Sequence, residues 1–150
     1  MLNIYLDTNI YIHGLLEPKS NSALILKEII ESDIIVTQSD YLIDEILFWF
    51  RTRKGKKYVG KVRSYLLSIP RTELINKFEW SLLIDKYHSI VGDKDDLPHI
   101  CSYITGNCDY FITVNRKLTR DKIKEKVNFM TPKKFIEKLG LKSINIVDEI

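Results

Sequence analysis

The chain has 150 residues, a net charge of +3, 45% hydrophobic residues and two cysteines. This length is typical of one domain with a substantial hydrophobic core, so residues 1–150 are interpreted as a single domain. Two cysteines are too few for a disulfide framework, and no apolar run reaches the roughly 20 residues that a membrane-spanning helix needs. No signal-peptide pattern opens the sequence, so we expect a cytoplasmic protein that does not bind membranes.

Short apolar runs alternate with stretches of helical periodicity along the chain. Predicted strands cover residues 2–6, 34–37, 110–114 and 127–130. Predicted helices cover residues 9–16, 55–68 and 132–139, and others start at Asn21 or Ser22, after Asp40, near Trp80 and at Asp95 or Asp96. Residues 71–76 fit either a short extended piece or a turn, and residues 142–150 are left unassigned. This alternation predicts a three-layer α/β/α fold around a mainly parallel central sheet.

The helix after the second predicted strand carries an acid close to its apolar side. The segment Thr37-Gln38-Ser39-Asp40 matches the capping-box pattern for the start of this helix. Glu45 then lies on or beside the apolar stripe that includes Leu42 and Ile46. Because an unpaired acid on a buried face is costly, this position marks Glu45 as a candidate functional residue.

Four side chains with oxygen donors follow predicted strands or start predicted helices; they are Asp7, Glu45, Asp96 and Asn115. Ligands of open parallel sheets bind beyond the carboxyl ends of the strands, so these four side chains could converge on one opening. A cluster of carboxylates is stable near neutral pH only when a cation or shared protons relieve the repulsion. Mg²⁺ and Mn²⁺ prefer such oxygen ligands, which indicates a metal-dependent enzyme acting on phosphate esters.

Basic residues are concentrated in two segments of the chain. The first contains Arg51, Arg53, Lys54, Lys56, Lys57, Lys61 and Arg63 with no acid among them. The second contains Arg116, Lys117, Arg120, Lys122, Lys124 and Lys126, interrupted by two acids. Either segment alone fits a solvated helix face. Two basic segments in a chain that also has an acidic cluster favour nucleic acid as the substrate.

Five segments in this order resemble the PIN-domain nucleases, and within that family the VapC-type toxins of toxin–antitoxin pairs. The segments are Tyr5-Leu6-Asp7-Thr8-Asn9, Asp44-Glu45-Ile46-Leu47, Asp96-Leu97-Pro98-His99-Ile100, Cys108-Asp109-Tyr110-Phe111-Ile112-Thr113-Val114-Asn115 and Met130-Thr131-Pro132-Lys133-Lys134-Phe135. The likeness covers residues 1 to about 139. It implies a PIN-like fold and a Mg²⁺-dependent endoribonuclease that leaves a 5′-phosphate and a 3′-hydroxyl. It also implies an antitoxin partner, which silences the enzyme, and a homodimer.

The resemblance assigns a role to each of the four candidate side chains. Asp7, Glu45 and Asp96 are similar to three of the four metal-site acids of the family, with Mn²⁺ as a possible substitute for Mg²⁺. The fourth position is usually Asp but here is Asn115, which implies weaker metal binding rather than lost activity. We expect Asp7 and Asp96 to be direct ligands, Asn115 a direct or water-mediated one, and Glu45 to hold or orient water.

The sequence leaves alternatives open for two of the four site residues. Asp44 could replace Glu45, and Asp93 or Asp95 could replace Asp96. RNA contacts are expected from the two basic segments, at Arg51, Arg53, Lys54, Arg116 and Lys117. His99 is expected to pack along its helix rather than to act as a ligand or base. The aromatic run Phe48-Trp49-Phe50 could stack bases, but core or dimer packing is preferred.

Other function classes fit the sequence less well. A haloacid-dehalogenase-like phosphatase needs a second Asp where this chain has Asn9. A two-component receiver needs an early acidic pair and a later Lys in a different order. A housekeeping RNA-processing PIN nuclease remains an alternative. So does a catalytically weak RNA- or protein-binding module of the same fold, because Asn115 stands where the family usually has an acid.

Overall fold

The computed structural model of the chain describes residues 1–120 and 122–144, so Asp121 and part of the unassigned tail lie outside it. Five strands of this part form one parallel sheet with the order β3-β2-β1-β4-β5. The strands are β1 (Leu2–Leu6), β2 (Ile34–Ser39), β3 (Thr72–Ile75), β4 (Tyr110–Ile112) and β5 (Phe129–Met130). Residues 71–76 therefore contain an edge strand, because Val36 to Ser39 of β2 pair with Thr72 to Ile75.

Helices connect the strands throughout. They are α1 (Thr8–Leu16), α2 (Asn21–Glu31), α3 (Asp40–Arg53), α4 (Lys56–Ser68), α5 (Lys77–Trp80), α6 (Ile84–Tyr87), α7 (Leu97–Thr105), α8 (Arg116–Arg120) and α9 (Pro132–Lys138). Two 3₁₀ turns cover Ser81–Leu83 and Lys122–Glu125. None of the helices in the described ranges combines the length and the apolar character needed to cross a bilayer.

The central strand β1 is covered on both faces. Ile4, Tyr5 and Leu6 are fully buried, as expected for a strand of a parallel sheet between two helical layers. The Tyr5 side chain reaches α7, whereas α2 packs against α1 and α9. Each large apolar side chain buried here contributes about 1.5–3 kcal/mol to folding. The three-layer α/β/α prediction is confirmed.

Two predicted helix starts are wrong in detail. The capping box over residues 37–40 does not form, because Thr37 belongs to β2 and its hydroxyl donates to Asn3 Oδ1 at 2.8 Å. The cap of α3 is Ser39, whose Oγ accepts from the backbone N–H of Leu42. The cap of α2 is Ser20 rather than Asn21 or Ser22. Pairing of Thr37 within the sheet and with Asn3 outweighs the local capping pattern.

A tight turn makes α3 and α4 an antiparallel pair. Gly55 between them has φ of 102°, a conformation that is strained for residues with a Cβ. Lys54 and Gly55 both donate their N–H groups to the Phe50 carbonyl and so end α3. The turn places the C-terminal half of α3 beside α4, with a groove between them.

Candidate functional site

Asp7 lies where β1 ends. Leu6 pairs with Ile112, so the residues that follow β1 and β4 leave the sheet side by side. The carboxylate of Asp7 caps α1 by accepting from the backbone N–H of Thr8 at 2.8 Å. Its other oxygen accepts from the Thr113 hydroxyl at 2.7 Å. These two bonds hold a side chain that is only 8% exposed.

Asn115 follows β4 and starts α8. Its backbone N–H donates to Thr113 Oγ1 at 3.0 Å. Its side-chain Oδ1 accepts from the N–H groups of Lys117 and Leu118 at 3.1 and 3.2 Å. The amide oxygen is therefore engaged in capping α8, which limits it as a direct metal ligand. Its side-chain NH₂ group can still donate to a water in the cleft.

Glu45 faces the cleft from α3. Its Oε1 accepts from the Thr8 hydroxyl at 2.6 Å and lies 2.6 Å from Nε2 of His99. Burial alone would raise the pKa of Glu45, but the hydrogen bond and charge of His99, followed by the Thr8 bond, lower it below its usual value. The neighbouring Asp44 is exposed and lines a different groove.

Asp96 occupies the N-cap position of α7 but does not cap the helix through its side chain. Its carboxylate accepts no hydrogen bond from the residues that the structure describes. Burial first, and then the negative charges of Asp7 and Asp93, raise the pKa of Asp96 to about 6. A carboxyl group in this state is disfavoured as an anion unless a cation lies near it.

One cleft of about 330 Å³ brings all four predicted side chains together. Its lining comprises Asp7, Thr8, Asn9, Ile12, Glu45, Phe48, Trp49, Asp95, Asp96, His99 and Asn115. Of the alternatives to Asp96, Asp95 is exposed and also lines this cleft. The arrangement can therefore present carboxylate, amide and hydroxyl oxygens to one ligand.

The donor set fits a hard divalent cation, although the carboxylates do not form a ready-made cage. Across residues 1–120 and 122–144 no group of three His, Cys, Asp or Glu side chains is arranged so that it could hold a metal ion. The carboxylate, hydroxyl and side-chain amide groups that line the cleft nevertheless offer oxygens, the ligands that Mg²⁺ prefers. The raised pKa of Asp96 also reflects the nearby charge of Asp7. A cation between these two groups would relieve that repulsion.

His99 is the functional candidate that sequence reasoning set aside. Its ring is 2% exposed, with Nδ1 lying 2.7 Å from the Tyr5 hydroxyl and Nε2 against Glu45. An ionised carboxylate only accepts hydrogen bonds, so Nε2 carries a proton. The Tyr5 hydroxyl in turn lies 3.0 Å from Ser39 Oγ, the cap of α3. The one available sequence signal was its position three residues after Asp96, on the same helix face.

The pKa of His99 is set by opposing effects. Burial alone would lower it, but the hydrogen bond with Glu45 and the negative charges of Asp7, Glu45 and Asp96 raise it above the usual value. The imidazole thus shares its proton with a carboxylate whose own pKa is lowered. This mutual stabilisation keeps one oxygen of Glu45 at a defined place in the cleft.

The basic candidates lie outside the cleft, on two surfaces. Arg51 lines a groove between α3 and α4, while Arg53 and Lys54 are exposed at the end of α3. Arg116 and Lys117 are exposed at the start of α8, directly after Asn115. The first surface meets the cleft at Glu45 and Phe48, which line both the groove and the cleft. The second surface meets it at Asn115, which lines the cleft.

The aromatic run on α3 divides into three environments. Phe50 is 3% exposed, so the core-packing prediction is correct for this residue. Trp49 is half-buried and lines the cleft. Phe48 is 60% exposed and is not a core residue.

Comparisons with known proteins place this geometry in a family and a fold. The PIN domain family profile matches residues 3–117. A chain of the Rickettsia felis VapBC2 structure, bound to a DNA fragment from its promoter, is similar with a TM-score of 0.63 and 17% identity. The match covers 87% of this chain and 98% of that chain.

Two further VapBC structures have similar folds. DNA-bound VapBC from Salmonella typhimurium matches with a TM-score of 0.62 and 13% identity, over 88% of this chain and 99% of that one. VapBC-1 from nontypeable Haemophilus influenzae matches with a TM-score of 0.59 and 16% identity, over 87% and 98%. No curated protein sequence is significantly similar to this chain.

Proposed function

This chain belongs to the PIN domain family, and from that membership and its cleft we propose that it is a metal-dependent endoribonuclease. PIN domain nucleases act on nucleic acids and generally use divalent metal ions. The observation that carries the proposal is the single cleft lined by Asp7, Glu45, Asp96 and Asn115. The cofactor is Mg²⁺, with Mn²⁺ as a substitute, since the donors are hard oxygens.

Each residue of the cleft has a part in the proposed hydrolysis of an RNA phosphodiester. Asp7 and Asp96 would hold the metal ion, and Asn115 would contribute through a water because its oxygen caps α8. A bound divalent ion supplies charge neutralisation at the phosphate and favours ionisation of the attacking water. Glu45, with Oε1 held by Thr8 and His99, orients that water and accepts its proton.

RNA is the proposed substrate because basic side chains adjoin the cleft on two sides. Arg51, Arg53 and Lys54 extend from one end of α3, and Arg116 and Lys117 from the start of α8. Replacing the first three together should weaken RNA binding and flatten its salt dependence, by a slope of about 0.7 per lost phosphate contact. Binding titrations at several salt concentrations measure this slope, and an unchanged slope removes these three residues from the binding surface.

The proposed biological role is the toxin of a toxin–antitoxin pair. Its support is the fold shared with chains of three VapBC structures, which are toxin–antitoxin complexes. An antitoxin protein and a second copy of this chain are accordingly the proposed partners. Expression of the chain alone should arrest growth of the host, whereas Asp7→Asn should be tolerated. Arrest by both proteins would argue against toxicity through this cleft.

A second candidate is a catalytically weak RNA- or protein-binding module of the same fold. Two observations favour it: Asn115 is engaged in capping α8, and no three of the acids are arranged as a metal site in the described residues. A housekeeping RNA-processing nuclease would have the same chemistry as the toxin and differ only in its substrate and regulation.

An RNA cleavage assay with Mg²⁺ or EDTA separates these candidates. The nuclease should cut structured RNA with Mg²⁺ and not with EDTA, and Asp7→Asn should remove the activity while circular dichroism stays unchanged. Because Thr8 can still donate to the remaining side-chain oxygen, this substitution keeps the α1 cap. Cleavage that persists in EDTA, or in Asp7→Asn, would show that the cleft is not the site. Absence of cleavage with RNA binding retained would favour the binding module.

A further inference from the structure

Three functional groups recur at three-residue intervals on α3. Glu45, Phe48 and Arg51 lie at positions i, i+3 and i+6, so they share one side of the helix. A helix rises about 1.5 Å per residue, so this stripe extends about 9 Å from the acid to the guanidinium. A stacked nucleic-acid strand covers that length in about three nucleotides, at 3.4 Å each.

The stripe forms one wall of a groove that continues from the acidic cleft. The groove lies between α3 and α4 and has a volume of about 550 Å³. Arg63 and Val59 line it from α4. Glu45 and Phe48 line both the groove and the cleft, so the two spaces meet at these side chains. A strand in the groove would therefore lead directly to the acids.

The ring of Phe48 is exposed at this junction. It is 60% exposed, whereas Phe50 on the same helix is 3% exposed. The Arg51 guanidinium lies 5.8 Å from the centroid of its ring. An exposed aromatic ring beside a cation is the combination with which proteins stack the bases of single-stranded nucleic acids.

Two arginines of the groove are suited to phosphate. Neither Arg51 nor Arg63 forms an ion pair in the described ranges, and both are exposed. The acids of the groove, Asp44 and Glu45, precede Phe48 on α3 and lie towards the cleft. Charge therefore changes along the α3 wall of the groove, from acidic at Asp44 and Glu45 to basic at Arg51.

We propose that this groove is a nucleotide subsite for the strand that enters the cleft. A base of single-stranded RNA stacks on Phe48, and Arg51 and Arg63 contact the adjoining phosphates. The inference rests on the proposed ribonuclease function and adds the path of the substrate. A protein segment is the competing occupant, and the groove favours RNA because unpaired arginines and an exposed ring stand beside the proposed site of phosphate hydrolysis.

The proposal is tested by measuring the binding of two labelled strands, each about ten nucleotides long. The measurements are made at low salt in EDTA, so that neither strand is cut. One strand is oligouridine, and the other is an abasic ribose phosphate strand of the same length. Phe48→Ala should bind oligouridine about tenfold more weakly than the wild type, which corresponds to one lost stacked base. It should bind the abasic strand as the wild type does. Phe48→Tyr keeps the ring and should retain wild-type affinity for oligouridine.

Two further variants complete the design. Phe78→Ala removes another exposed ring, 80% exposed on α5 and outside the groove and the cleft, and should leave both affinities unchanged. Arg63→Gln should weaken both strands equally and lower the salt slope by about 0.7, as expected for one phosphate contact. The ring and the cation are thus distinguished by the part of the nucleotide that each contacts.

Each result decides for or against the subsite. Equal affinities of Phe48→Ala and the wild type for oligouridine would overturn it, as would no binding by the wild type. Loss of a copurifying protein from Phe48→Ala with unchanged RNA affinity would identify the groove as a protein site and also overturn it. Cleavage is assayed separately: wild-type binding without Mg²⁺-dependent cleavage would reject the proposed ribonuclease and leave the RNA subsite standing.

Discussion

Glu45 and Asp96 face the same cleft from different helices, but their surroundings are opposite. Glu45 has two partners at 2.6 Å and a lowered pKa. Asp96 accepts no hydrogen bond within residues 1–120 and 122–144, and burial together with nearby acids raises its pKa to about 6. One carboxylate is therefore held by hydrogen bonds from protein groups, and the other accepts none from the described residues, although the charge of His99 partly offsets its own.

This difference in hydrogen bonding and pKa suggests a different role in the site for each carboxylate. A carboxylate that protein donors hold in place can orient a small ligand such as water. A carboxylate that lacks donors is costly as an anion and gains most from a cation. On this interpretation Asp96 is a metal ligand, and Glu45 orients the attacking water and accepts its proton. The following predictions test that division.

The largest expected effect is on catalysis by Asp96→Asn. Removing a metal-binding carboxylate should lower kcat/KM for RNA by at least about a hundredfold, because part of the charge stabilisation at the phosphate is lost. Asp85→Asn, an exposed acid on α6, is the matched control and should be active. If Asp95→Asn loses activity and Asp96→Asn does not, the ligand at this side of the cleft is Asp95.

A second effect concerns the donor that holds Glu45. His99→Leu removes it and should lower kcat by about ten- to a hundredfold, the range seen for residues that orient functional groups. KM for RNA should change little, because His99 is only 2% exposed and its ring nitrogens lie against Tyr5 and Glu45. His99→Gln retains an amide donor and should recover part of kcat.

The split between kcat and KM distinguishes orientation from folding. A variant that merely unfolds loses active protein, which active-site titration and thermal melts detect. If His99→Gln is as impaired as His99→Leu while both melt like the wild type, the Glu45 contact is not the reason for the loss.

A third effect is on stability without metal. The pKa of Asp96 rises from 3.8 to about 6 on folding, so the folded state binds its proton more tightly and loses stability as pH rises between these values. Asp96→Asn should therefore be more stable than the wild type above pH 6, by about 1–2 kcal/mol after allowance for partial exposure. Near pH 4 most of this difference should be lost. Urea unfolding in EDTA at both pH values measures it, and a difference independent of pH contradicts the assignment.

The smallest effect is the stabilisation by the ion itself. At ten times its dissociation constant, a ligand of the folded state adds about 1.4 kcal/mol, which raises Tm by about 3–6 °C for a domain of this size. Mg²⁺ should raise the Tm of the wild type and of His99→Gln, but much less that of Asp96→Asn. Equal shifts for all three proteins would place the ion elsewhere.

The sequence predicts the strands of this fold better than the contacts of its site. Residues 2–6 and 34–37 are recognisable because a buried parallel strand needs a continuous apolar run. The edge strand Thr72–Ile75 is not, since three of its four residues are exposed and no apolar run marks it. The residues of the cleft can be chosen from their positions at strand ends and helix starts.

Their partners cannot be chosen in this way. His99 contacts Glu45, 54 residues away, and Tyr5, 94 residues away, so no local pattern carries these bonds. The role of Asn115 as a cap was equally hidden, because any Asn before a helix fits a cap and a ligand equally well. Local periodicity identifies elements, whereas the chemistry of a site depends on which elements meet.

The helix α7 begins directly after Asp96 and contains the ring that holds Glu45. Any rigid displacement of this helix would move the acid on one wall and, through the imidazole, the acid on the opposite wall. The two walls of the cleft are thus mechanically linked, with Tyr5 as their anchor in the sheet. A partner that pushed on α7 from outside would disturb both acids at once without entering the cleft.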